Sequence, residues 1–315
     1  MDVVQVERFG GPSVLRPATV PDPVAGAGEA VIEATAADVM FLDTLLRSGW
    51  GAGFFPLSPP YVPGSGVVGR VGGRRVVADT KQDVGGAEVP VGGYASRAVV
   101  PSSELIPVPA GLGDHAAVAL LHDGPTVQLL LEAVSATAGS RVLVMAAAGG
   151  AGVLLVQELT RRGVEVVAAA RGASKTEVLR SLGAAQVVDY GEPDWADRVG
   201  TVGAVLDGAG SALGRAAFSL VADGGRFVSY GTAGGEFAVP DASDAARRGI
   251  AVTGLTDLPR LDRARRRELV ERTLEEAAAG RYRTVIGQTF PLEHAADAHA
   301  AIEARKTVGK TLLVP

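Results

Sequence analysis

Over the first hundred or so residues the apolar positions fall into short runs. Val3–Val6, Ala30–Ala34, Gly66–Val71, Arg75–Ala78 and Arg97–Val100 have the length of strands. Between them stand Pro21-Asp22-Pro23, Pro59-Pro60, Pro63-Gly64, Gly72-Gly73 and Gly92-Gly93. Short strands punctuated by tight turns predict a β-rich barrel or sandwich over 1–113. One helix interrupts it, with apolar residues at helical spacing over Val39–Arg47 and a stop at Gly49. Near Asp114 the pattern changes. Residues 114–137 read as a helical stretch that Gly124-Pro125 can break. Apolar runs then alternate with helical periods: strands at Arg141–Ala146, Glu165–Ala170, Val187–Val188, Ala204–Leu206 and Arg226–Tyr230, and helices from a glycine loop to about Arg162, over Ser174–Leu182 and over Ser211–Val221. Strands apolar on both faces, alternating with helices, predict an α/β unit with a parallel, doubly wound sheet over 114–257. From 258 to 315 the alternation stops. A charged helix over Arg260–Ala279, a helix over Leu292–Arg305 and a terminal strand at Thr311–Val314 are expected there.

Composition narrows the function. The chain has 315 residues, 47% hydrophobic and 21% charged, which suits a globular protein of about two domains. Its 42 glycines have no repeat period and imply many tight turns or close backbone approaches. A net charge of −5 argues against a dedicated nucleic-acid binder. With no cysteine there is no disulfide, no thiolate nucleophile and no cysteine-ligated zinc. The histidines His115, His122, His294 and His299 form no HxxH or HExxH pair and read as structural, so no metal is expected. The apolar stretch Val142–Val156 is broken by glycines and falls short of the roughly 20 residues of a membrane span. The start of the chain reads as a strand rather than a leader, so a cytoplasmic location without a membrane partner is expected. The cluster Arg263, Arg265, Arg266 and Arg267 precedes Glu268, Glu271, Glu275 and Glu276 at spacings that pair charges along a solvated helix face.

The segment Arg141–Gly152 carries the candidate chemistry. A strand leads into Ala147-Ala148-Gly149-Gly150-Ala151-Gly152 and a helix follows. Ala147, Gly149 and Gly152 hold the G-x-G-x-x-G spacing with alanine first. Glycine lets the backbone approach a pyrophosphate, and the following helix aims free N–H groups at it. The next strand decides which dinucleotide fits. A site for a free ribose 2′-hydroxyl ends this strand in Asp or Glu. Here it ends in Arg171, with Ser174 and Lys175 just beyond. Arginine and lysine neutralise a 2′-phosphate that a carboxylate would repel, which points to NADP(H).

The chain resembles the zinc-free quinone oxidoreductase group of the medium-chain dehydrogenase/reductase superfamily over nearly its whole length. Phe9-Gly10-Gly11-Pro12-Ser13-Val14-Leu15 is similar to the family's FGGPxVL, and Val39–Asp43 with Arg47-Ser48-Gly49 resembles its NxxD…RSG. Pro63-Gly64 with Gly69 resembles PGxExxG, and Ala147–Gly152 with Gln157 resembles AAxGGVGxxxxQ. Leu182-Gly183-Ala184 with Val188-Asp189-Tyr190, and the closing run from Ala298-His299 through Gly309-Lys310 to Pro315, match further motifs. The resemblance implies a GroES-like, barrel-rich catalytic domain built from both chain ends around a Rossmann domain, with the active site in a cleft between them and a homodimer as the assembly. It also implies cofactor contacts. Ala148, Gly149, Gly150 and Ala151 would lie at the pyrophosphate. Arg171, Ser174, Lys175 and Tyr190 would surround the 2′-phosphate. Tyr230, Gly231, Thr232 and Ala233 would lie near the far ribose and nicotinamide, with Thr126 and Lys310 as further contacts.

The implied activity is NADPH-dependent hydride transfer to a small-molecule quinone or α,β-unsaturated carbonyl, which needs no zinc because the acceptor is already activated. Three pocket positions depart from the family. Met40 stands where asparagine is usual, Gly51 where a tyrosine is common, and Gly66 where PGxExxG has glutamate. A large apolar substrate for a biosynthetic enone reductase, or a non-catalytic NADPH-binding sensor, are the alternative readings. Trp50, Phe54, Phe55 and Tyr61 are candidates for an aromatic pocket or for loop packing, and Tyr94 reads as structural. Asp43, the candidate catalytic residue, reads either as a substrate-orienting or proton-relaying group in the cleft or as a helix-surface or capping carboxylate.

Overall fold

The computed structural model describes residues 1–51, 55–84 and 86–315, so Phe54 lies outside the described residues. Among these, the chain divides into two compact units. The first joins Met1–His122 to Ala264–Pro315, and the second is Asp123–Arg263. The crossings fall nine and six residues beyond the expected ones at 113/114 and 257/258. The reason at the first is packing. Helix Asp114–Leu121 buries Ala117 to Leu121, and Asp114 accepts hydrogen bonds from Arg75 Nε at 2.7 Å and Thr35 Oγ1 at 2.9 Å. The helical stretch breaks at His122 rather than at Gly124-Pro125. Pro125 falls in the first turn of helix Asp123–Val134, where no intrahelical N–H is lost.

The first unit is built on a seven-stranded sheet, mostly antiparallel. Strand Glu29–Val39 lies between Gly66–Val71 and Lys310–Val314 and also pairs with Arg97–Pro101. The strand Ile286–Pro291, which the sequence pattern did not reveal, runs parallel to the terminal strand. The core of this unit gathers Val4, Ile32, Val67 and Tyr94 with Leu292, Ala298 and Leu313. The terminal segment returns here because its apolar face completes this core. Helix Phe41–Ser48 ends where Gly49 takes a left-handed φ of 91°, as a glycine C-cap should.

The second unit holds six parallel strands in the spatial order third, second, first, fourth, fifth, sixth. In chain order they are Arg141–Met145, Glu165–Ala170, Gln186–Asp189, Val202–Asp207, Val221–Ser229 and Ala251–Gly254. This is the doubly wound Rossmann order, and it reverses direction between the first and fourth strands. The crevice beyond their carboxyl ends is where such sheets bind ligands. The sixth strand was not expected, because Ala251–Gly254 is short and half exposed. Among the described residues no helix is long and apolar enough to cross a membrane.

Candidate active site

In the second unit the glycine turn sits at that reversal. The first strand ends at Met145, and Ala146 takes a left-handed φ of 54°, strained for a residue with a side chain. The Gly149 N–H bonds back to Ala146 O at 3.0 Å, and helix Gly150–Arg161 begins with Val153 N donating to Gly149 O at 2.9 Å. The N–H groups of Gly150, Ala151 and Gly152 precede the first intrahelical donor, Val153 N, and the N-cap Gly149 has no side chain to cap them. A Cβ on Gly152 would lie 2.6 Å from Ala147 O and 2.7 Å from Ala146 O, so only glycine lets the helix start this close to the turn. A Cβ on Gly149 would meet only Ala146 O, at 3.4 Å, which leaves the turn's outer face open. The arrangement fits a pyrophosphate: open N–H donors at the positive end of a helix.

Neighbouring strand ends complete the crevice. Gly208 follows the fourth strand, and its α-carbon is so close to Tyr230 that a Cβ would lie 2.7 Å from the phenol oxygen. Tyr230 and Gly231 donate their N–H groups to Asp207 O at 2.9 and 3.2 Å. Thr232 and Ala233 continue this loop, with Thr232 buried. Thr126 lies in the first turn of helix Asp123–Val134, half buried. The Asp207 carboxylate accepts from Ala209 N and Gly210 N at 2.9 and 3.0 Å, and burial still raises its pKa.

Arg171 and Tyr190 stand at adjacent strand ends. The Arg171 guanidinium carbon lies 5.8 Å from the Tyr190 ring centroid. Gly172, at a φ of 92°, donates its N–H to Asp189 Oδ2 at 3.0 Å, which aims the Arg171 turn outward. Arg171 and Ser174 are exposed, whereas Lys175 is buried at the start of helix Thr176–Ser181.

The first unit holds two buried polar clusters. Asp43, only 1% exposed, accepts from Met40 N at 2.8 Å, so it does cap its helix, but from inside the fold. Its Oδ2 also accepts from the Tyr94 hydroxyl at 3.1 Å, and that hydroxyl lies 2.8 Å from His299 Nε2. Burial, then the charge of Asp38, lifts the Asp43 pKa to about 7. Burial, then the nearby Arg47 guanidinium, lowers that of His299 to about 3 and keeps the ring neutral. Arg47 ties this helix to the Ala295–Glu303 helix through an ion pair with Glu303 and donates to Gly10 O at 2.7 Å. In the second cluster, Asp38 pairs with Lys310 Nζ at 2.9 Å and His122 Nδ1 at 3.1 Å. His122 Nε2 lies 3.0 Å from Asp79, which Arg266 clasps through two bonds of 2.7 Å each. Burial alone would raise Asp38, but Lys310 and His122 hold it at about 2, and the two carboxylates hold His122 at about 9.

The whole chain is 33% identical to a probable quinone oxidoreductase of Schizosaccharomyces pombe, across 99% of this chain and 96% of that protein. The chain belongs to the quinone oxidoreductase group of the medium-chain dehydrogenase/reductase superfamily. A family model described as zinc-binding dehydrogenase matches residues 182–313. A 2-haloacrylate reductase of a Burkholderia species is 28% identical over 98% of both chains. The quinone oxidoreductase of Thermus thermophilus, solved alone and with NADPH, superposes over all of both chains with a TM-score of 0.79 and 34% identity. A mycobacterial protein complexed with NADPH does so with a TM-score of 0.85 and 31% identity.

Against the quinone oxidoreductase pattern, the three departures have different physical origins. Gly51 has a φ of 85°, so any side chain there would be strained. Met40 is the residue just before helix Phe41–Ser48 and is half buried. At Gly66 a Cβ would run into Asp38 Oδ1 at 2.5 Å and His122 Cε1 at 2.8 Å, so the space beside it is filled by those two side chains. Trp50 is 38% exposed, while Tyr61 is buried with its hydroxyl unbonded among the described residues. His122 and His299, structural by their spacing, sit in these networks, whose partners Asp38 and Asp79 no local pattern singles out, while Arg266 reads in sequence as part of a solvated helix face. Arg265 and Arg267 do pair with Glu268 and Glu271 along the helix, but Arg266 turns inward to Asp79, 187 residues away. No local spacing signals such a partner.

Proposed function

We propose that the chain is an NADPH-dependent, zinc-independent reductase that delivers hydride to quinones or α,β-unsaturated carbonyl compounds. One observation carries the cofactor choice: the strand beside the glycine turn closes in exposed Arg171, braced on Tyr190, where a carboxylate would select a free ribose. The substrate class follows the relatives, which are named for quinone and haloacrylate reduction.

Bound NADPH supplies the hydride. The N–H groups of Gly150 and Ala151 hold the pyrophosphate, and the positive helix end neutralises part of its charge. Arg171, Ser174 and Tyr190 receive the 2′-phosphate, with Lys175 adding positive charge from behind. Thr126 and the Tyr230–Ala233 loop border the nicotinamide end, and Lys310 provides a further cation. Asp43 touches no solvent. It acts by holding helix Phe41–Ser48 and Tyr94 in place, so it positions rather than reacts. Homodimerisation is assigned to the outer strand Ala251–Gly254, where Val252 and neighbouring Leu255 are each 43% exposed; light scattering on the purified protein tests it.

The functional test titrates NADPH and NADH by fluorescence, then adds 9,10-phenanthrenequinone or 2-chloroacrylate and follows absorbance at 340 nm. Tighter binding of NADPH and consumption with either acceptor are expected. Arg171→Glu should weaken NADPH by on the order of tenfold or more through loss of a charge-assisted contact, with little effect on NADH. Equal losses for both would sink the 2′-phosphate assignment. Binding without turnover of either acceptor would instead favour a bulky specialised enone or a non-catalytic role.

A further inference from the structure

Gly66 opens strand Gly66–Val71 without a left-handed backbone, so its lack of a side chain has a steric cause. A Cβ there would lie 2.5 Å from Asp38 Oδ1, 2.8 Å from His122 Cε1 and 3.0 Å from Leu121 Cδ2. Position 66 is where the family's PGxExxG carries its glutamate. The Asp38 side chain therefore occupies the volume into which that glutamate would start.

Asp38 is fully buried. Its Oδ2 takes both Lys310 and His122, while Oδ1, the atom against Gly66, has no hydrogen-bond partner among the described residues. A carboxylate this deep loses its charge unless cations compensate it. The compensation runs both ways. Without Asp38, the Lys310 ammonium and the His122 ring would lose the anion between them. Asp79, the other carboxylate on His122, has cations of its own. Its oxygens are engaged by His122 and by the Arg266 fork, with Lys81 at 3.8 Å.

We propose that Asp38 is a relocated carboxylate: a positioning residue that supplies, from strand Glu29–Val39, the negative charge the family carries at position 66, and so holds Lys310 and His122 as fixed cations. Its bearing on turnover rests on the assignment of Lys310 to the cofactor.

A charge swap tests this in the full-length protein. The variants are Asp38→Asn, Gly66→Glu, the double variant Asp38→Gly/Gly66→Glu, and Lys310→Met. Two readouts are taken on each: the His122 imidazole titration by NMR, assigned by its loss in His122→Gln, and the NADPH dissociation constant. In the unaltered protein His122 should titrate near 9. Asp38→Asn, which keeps the shape, should lower that midpoint by about one pH unit or more and weaken NADPH about tenfold. Gly66→Glu should also weaken binding, by placing a second carboxylate in a filled volume. The double variant should return the midpoint to within about half a unit and binding to within about threefold, as one carboxylate again serves the two cations. An unmoved His122 midpoint in Asp38→Asn, or a double variant no better than the worse single one, would overturn the proposal. If His122 responds and is rescued while Lys310→Met leaves NADPH binding unchanged, the relocation stands and the cofactor role of Lys310 fails.

Discussion

Replacing Tyr94 by Phe removes one oxygen from the centre of the first unit and little else. The ring keeps its edge-to-face contact with His299, at 5.7 Å between centroids. It also keeps its seat over Gly64, where a Cβ would come within 2.3 Å of the ring. Two polar atoms lose this partner. Asp43 Oδ2 loses a 3.1 Å bond and His299 Nε2 a 2.8 Å contact, and both side chains are at most 1% exposed, so water cannot replace the hydroxyl. Each such loss in a buried group costs about 1–3 kcal/mol. Asp43 Oδ2 retains the Met40 N–H, which places its share at the low end. The expected loss is about 3 kcal/mol. With a urea m-value of about 3 kcal/mol/M, that lowers the midpoint by about 1 M. Trp50 reports on the first unit and Trp195 on the second, so the assay is urea unfolding read by Trp50 fluorescence in a Trp195→Phe background. A midpoint within about 0.2 M of the parent, at unchanged m, would refute the view that the phenol satisfies both partners.

Three further outcomes follow from the same physics. The Asp43 carboxyl, lifted to about 7 from an unfolded value of 3.8, is neutral in the fold while already ionised in the unfolded chain, so it withdraws stability as pH rises from about 4 to 7. Asp43→Asn should remove that slope, seen as a urea midpoint that no longer declines over this range relative to the parent. Gly152→Ala presses a Cβ into two backbone carbonyls at 2.6–2.7 Å; isothermal titration should show NADPH binding reduced by on the order of tenfold or more. Arg266→Gln leaves Asp79 with His122 but without its guanidinium clasp. Because Arg266 is partly exposed, the loss should sit at the low end for a broken buried pair, about 3 kcal/mol by urea unfolding.

Helix and strand periods are local, and so the sequence alone determined the parallel sheet of the second unit, its glycine turn and the basic residue closing the second strand. Each of these depends on residues within a single strand–turn–helix unit, where backbone geometry and spacing suffice. The helix break shows where this weakens: Gly124-Pro125 looked like a breaker, but a proline in a first turn breaks nothing, and the chain turned at His122 instead. The strands Ile286–Pro291 and Ala251–Gly254 escaped notice because short, half-exposed strands form only when a neighbour offers its edge. The charged interior was decided by tertiary structure. Asp43 meets Tyr94 across 51 residues, Tyr94 meets His299 across 205, and His122 meets Asp38 across 84. A buried charge is settled by whichever opposite charge the sheet brings within about 3 Å, and nothing in local spacing encodes that choice. Gly66 read as an absence in the sequence; in the fold it is the room that Asp38 needs.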